Sequence, residues 1–108
     1  MQTSSTTTLE RRVLFLGQLT THPFEAGWAT EARFFVQLRD NTTDVTVQAQ
    51  ISPDGLNWLN FGESVTHKGG ETISTVGLTN FGSWVRATLV QAEPHQEMEA
   101  LVHLTLKG

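Results

Sequence analysis

Ser52-Pro53-Asp54-Gly55-Leu56-Asn57-Trp58 is the stretch that decides the fold of this 108-residue chain. Pro53 presets φ at about −65° for the first corner of a tight turn, Asp54 bonds its own downstream backbone, and Gly55 takes the positive φ that other residues resist. Upstream, Val45, Val47, Ala49 and Ile51 alternate with Thr46, Gln48 and Gln50, the period of a half-buried strand. Downstream, Trp58 and Phe61 belong to a second strand that Gly62 ends. The stretch therefore reads as a β-hairpin.

The same punctuation recurs on either side. Ala32, Phe34, Val36 and Leu38 share one strand face while Arg33, Phe35, Gln37 and Arg39 share the other, and Asp40-Asn41-Thr42-Thr43 supplies the turn that follows. His67-Lys68-Gly69-Gly70 is a further turn, and Glu71 to Val76 a shorter strand. Asn80-Phe81-Gly82 turns again. Ser83 to Val90 then sends Val85, Ala87 and Leu89 inward and leaves Trp84 and Arg86 facing out. Met98, Ala100, Val102, Leu104 and Leu106 alternate almost to the end, with Glu97, Glu99, His103 and Thr105 on the wetter face. Between Leu9 and Leu19 apolar residues fall on both parities, which predicts either a strand covered on both faces or one bent at Gly17. Residues 1 to 8 form a polar Ser/Thr tract with nothing to bury, expected to be a flexible arm free to lie on a neighbouring copy. Nowhere do apolar residues follow an i, i+3, i+4 pattern over a helical length. The prediction is an all-β chain with one domain at 9–108, an antiparallel β-sandwich of seven or eight strands with jelly-roll or immunoglobulin-like topology.

Composition narrows the function. A formal charge of −4 and no basic stripe argue against nucleic acid, because phosphate binding works through counterion release. Arg11-Arg12 is the only adjacent basic pair and is assigned to the solvent side of a strand. No apolar run approaches the roughly 20 residues that span a bilayer, and the first residues have neither a basic nor an apolar signal region. With no cysteine there are no disulfides and no thiolate chemistry. A virion or cytoplasmic location is expected.

No catalytic constellation, cofactor loop or metal centre is expected. There is no nucleophile elbow, and Gly69-Gly70 precedes a strand rather than the helix N-terminus a phosphate loop needs. His95 and His103 lie near Glu93, Glu97 and Glu99, but same-face neighbours on one strand are about 7 Å apart, too far to share an ion without a partner strand. An acidic strand edge in solvent explains them better. Asn41-Thr42-Thr43 matches a glycosylation sequon and is taken as chance. Trp58, just after the turn, is assigned to the core. Trp84 beside Arg86, together with Trp28 and Phe35, is assigned to subunit or ligand contact, with Asn57 and Asn60 as the polar partners of a sugar site.

The segment Val45 to Glu63, with its Ser-x-Asp-Gly-x-Asn-Trp turn, resembles a hairpin of small bacterial and phage β-sandwich domains, among them virion-associated proteins and discoidin-like carbohydrate-binding modules. Ser83-Trp84-Val85-Arg86-Ala87-Thr88-Leu89 is similar to the aromatic-x-Arg-x-x-Leu strand that follows in such domains. The resemblance implies a non-catalytic protein: an assembly subunit such as a phage decoration or tail-associated component that forms homo-oligomers, or alternatively a small sugar-binding module. Short length, absence of tyrosine and the polar arm favour the assembly role.

Overall fold

The computed structural model describes residues 3–94 and 96–108. Ten strand segments succeed one another: β1 (Ser4–Phe15), β2 (Gln18–Thr20), β3 (Phe24–Glu25), β4 (Glu31–Arg39), β5 (Val45–Ser52), β6 (Leu59–Asn60), β7 (Val65–His67), β8 (Ile73–Thr79), β9 (Trp84–Gln91) and β10 (Met98–Lys107). None of the described residues is helical. All pairings are antiparallel. One sheet runs β1-β10-β4-β8; in the other, β9 and β5 form the centre, with β2 and β3 both on β9 and β6 and β7 both on β5. The ten segments thus fill eight strand positions, and the chain changes sheet at nearly every step. That is the jelly-roll form of the predicted sandwich.

Alternation built these layers. The inward residues of β10, from Met98 to Leu106, are all buried, as are Ala32, Phe34, Val36 and Leu38 on β4, and they face Val45, Val47, Ala49, Val85, Ala87 and Leu89 of the opposite sheet. Interdigitation of two such inner faces is what holds a sandwich together. β10 is bordered on both sides, by β1 and β4. Glu99 and His103 therefore sit on an interior strand, and the acidic edge expected there does not exist.

At Gly17 the chain bends. Its φ of 86° and a reciprocal hold on Gln91 let β1 end in one sheet and β2 begin in the other. The Gln91 amide donates to the Gly17 carbonyl at 2.9 Å, and the Gly17 amide donates to the buried Gln91 side chain. A bend, rather than cover on both faces, accounts for the mixed parity, and it leaves Leu14 and Leu16 exposed. The Ser/Thr arm is also corrected. Ser4 to Thr8 pair in register with Lys107 to His103, and Thr3 and Gly108 exchange both backbone hydrogen bonds at 2.8 Å. A strand needs a backbone partner, not an apolar side chain, and β10 reaches far enough to provide one. Met1 and Gln2 lie outside the described residues.

The outer face around Arg86

On the outer face of the second sheet, register brings three strands into one row. Gln50 of β5 lies opposite both Arg86 of β9 and Asn60 of β6. Paired residues share a sheet face, so their side chains meet. Arg86 Nε donates to Gln50 Oε1 at 2.7 Å, and Gln50 Nε2 donates to Asn60 Oδ1 at 3.0 Å. The Arg86 guanidinium lies over the Trp58 ring, 4.2 Å from its centroid. Partial burial lowers the guanidinium pKa from its ordinary value, but the group stays a cation and is attracted by the ring quadrupole. Trp58 is consequently half-buried on the outside, not in the core to which its position after the turn assigned it.

The loop at 52–58 closes over this face. Ser52 Oγ accepts from the amides of Asp54 and Gly55, at 3.2 and 2.8 Å, and donates to Asp54 Oδ1 at 3.0 Å. Asp54 Oδ1 also accepts from the amides of Leu56 and Asn57, both at 2.9 Å, while Asn57 Nδ2 donates to Asp54 Oδ2. Those donors, the Asn57 and Leu56 amides foremost, hold the Asp54 carboxyl well below its ordinary range. Gly55 has the expected positive φ, 77°, and brings its Cα against Trp84: a methyl there would lie 3.3 Å from the indole carbons. One face of Trp58 and part of Trp84 are thus covered from within.

The residues assigned to contact fall into separate places. Trp84, Arg86, Asn57 and Asn60 join the loop and ladder just described. Phe35 is on the outer face of the other sheet, level with His103 and Thr75, and Trp28 stands in the β3–β4 turn, 47% exposed, with Gly108 against its ring. His103 Nδ1 is 3.1 Å from Thr8 Oγ1, and His95 lies outside the described residues. The sequon residue Asn41 is buried and donates to the Glu71 and Lys68 carbonyls, so its amide is already engaged.

Two buried polar groups escaped the sequence reading. His67 is fully buried, with Nε2 donating to the Glu71 carbonyl at 2.8 Å and Nδ1 accepting from Ser74 Oγ at 2.6 Å. Glu10, buried in the irregular part of β1, is bonded by the His22 ring and amide, and this carboxylate raises the pKa of the exposed His22. Neither has a motif; only tertiary contact reveals them. Large apolar side chains are also left open near this face. Leu56 on the loop is 82% exposed, and Leu59, paired with Ile51 and so on the other face of β6 from Asn60, is 55% exposed at the sheet edge.

No family model and no curated sequence matches the chain. Solved structures share its fold at low identity. It is similar to the exported protein XepA of PBSX (TM-score 0.73, 10% identity), matching over 94% of this chain and spanning only 36% of XepA. It is similar to the protein of infectious bursal virus derived T=1 particles (TM-score 0.61, 10% identity; 98% of this chain, 31% of that one). The CBM36-1 domain of a multidomain xylanase from the hindgut metagenome of Trinervitermes trinervoides is similar over 98% of both chains (TM-score 0.55, 11% identity). At these identities the likeness establishes the β-sandwich fold.

Proposed function

We propose that this protein is a non-catalytic structural subunit of a virion that self-associates or coats a larger assembly. The observation that carries this reading is a division of labour on the outer surface. Polar side chains there are bonded to one another, in the Arg86-Gln50-Asn60 ladder and the Ser52-Asp54-Asn57 loop, while Leu56 stands exposed on that loop and Leu59 at the adjoining sheet edge. A preformed polar row with projecting apolar side chains at its border makes an adhesive surface, since little side-chain ordering is left to be done on contact. The protein of the virus-derived T=1 particles, which shares the fold, supports the same reading.

Sugar binding is the second reading, supported by the CBM36-1 likeness and by the open ring of Trp28. Against it, Arg86 occupies a face of Trp58, and the polar groups of Asn57 and Asn60 are used inside the protein. Light scattering of wild type and of Leu56→Asp/Leu59→Asp, together with a glycan panel, separates the two. The assembly reading expects species heavier than one chain, reduced by the double substitution, with no selective glycan signal. A monomer that selects one glycan would contradict it.

A further inference from the structure

Each sheet has two edges, and three of the four are blunted. β1 carries register shifts between Thr8 and Glu10 and between Glu10 and Val13, with Arg12 at a φ of 50°. β2 and β3 are three and two residues long, and β6 and β7 two and three. Irregularity, charge and shortness are the devices that stop a sheet from growing. β8 has none of them. Ile73-Ser74-Thr75-Val76-Gly77-Leu78-Thr79 is seven residues long, carries no charge and no proline, and pairs with β4 without a register shift.

We propose that β8 pairs antiparallel with β8 of a second copy, joining two four-stranded sheets into one. This deepens the assembly reading and rests on it. The backbone defines the register. The Leu38 amide donates to the Thr72 carbonyl, so along β8 the even-numbered residues bond to β4 and the amides and carbonyls of Ile73, Thr75, Gly77 and Thr79 point to the open edge. All four residues are exposed. Only one two-fold arrangement uses all of them, with Val76 opposite Val76 of the other copy, Ile73 opposite Thr79, and Thr75 opposite Gly77. It makes about eight hydrogen bonds, since each bonded pair exchanges two.

Side chains agree with that register. Thr75 of one copy meets Gly77 of the other, which has no side chain of its own. Arg33 lies across that glycine, donating to Thr75 Oγ1 at 3.1 Å, and borders a groove of about 460 Å³ with Phe35, Thr79, Thr105 and Lys107. β8 itself carries no charge, each Arg33 is held by Thr75 of its own copy, and the isologous contact closes at two.

Sedimentation of the full chain over a concentration series tests this with three variants. Wild type is expected to double its mass. Ile73→Glu and Thr79→Lys each set a charge opposite an uncharged residue of the other copy, at places where the monomer accepts it, with Arg12 and Arg39 bordering residue 73 and Glu31 paired with residue 79; each should weaken the doubling with thermal unfolding unchanged. Ile73→Glu/Thr79→Lys sets opposite charges face to face twice and should restore it. An assembly unaffected by both single variants, or not restored by the double variant, overturns the β8 joint and leaves the assembly reading standing. A wild type that stays monomeric while Leu56→Asp/Leu59→Asp changes nothing overturns both, including the case in which β8 accepts a strand from another protein.

Discussion

Gly55 and Gly62 have nearly the same backbone, at φ of 77° and 75°, but different surroundings. A methyl at Gly62 meets nothing within 4 Å, whereas one at Gly55 lies 3.3 Å from the Trp84 ring. Gly62→Ala should therefore cost only the left-handed backbone penalty, about 1–2 kcal/mol. Gly55→Ala adds the displacement of an indole held between the loop and β9, about 1 kcal/mol at the lower end of overpacking costs. For a domain of this size a loss of 1 kcal/mol lowers Tm by about 4–8 °C. The expected falls are then about 5–15 °C for Gly62→Ala and about 10–20 °C for Gly55→Ala, with Gly55→Val lower still because a β-branched residue tolerates positive φ least. Thermal melts followed by circular dichroism give the falls in Tm, and urea titrations followed by tryptophan fluorescence give the free-energy differences, with unchanged m-values expected. Equal destabilisation by the two alanine substitutions would refute the packing of the 52–58 loop on Trp84.

Further outcomes follow from the same contacts. Leu104→Ala empties a fully buried site on the central strand and should cost about 2–5 kcal/mol by denaturant unfolding. Arg86→Gln removes the cation over Trp58 and should shift tryptophan emission while costing about 1 kcal/mol; unchanged emission would mean that the stack is absent in solution. Asp54 is held below its ordinary 3.8, so its stabilisation is present above that value and drains away as pH falls through it toward the folded-state pKa; Asp54→Asn should flatten the acid limb of Tm against pH. His22 is raised above 6.5, so its contribution is present below 6.5 and is lost as pH rises through the folded value; His22→Gln should flatten that limb.

What the sequence disclosed depended on whether a local rule sufficed. Alternation placed Phe34, Leu89 and Leu104 in the core, because side-chain parity is a property of one strand alone. It also put Trp84 and Arg86 outside. Parity does not say which strands are neighbours, so the row formed by Arg86, Gln50 and Asn60, and the interior position of β10, needed the topology. Trp58 was misplaced for a related reason: an aromatic after a turn has a large apolar surface to cover, and here a guanidinium from another strand covers it. The polar arm was misread because its composition reports what side chains can bury, while the Thr3–Gly108 pair is held by backbone. Gly17 was correctly marked as a point of change, and the structure supplied the direction of the bend.

Adhesion between copies is the claim on which the functional account stands, and sedimentation velocity of the untagged wild-type chain at rising concentration examines it most directly. The account predicts a boundary that moves from one chain toward two or more as concentration increases, in the absence of any ligand. A single boundary at the mass of one chain throughout the series, joined by a selective response to one glycan, would contradict it.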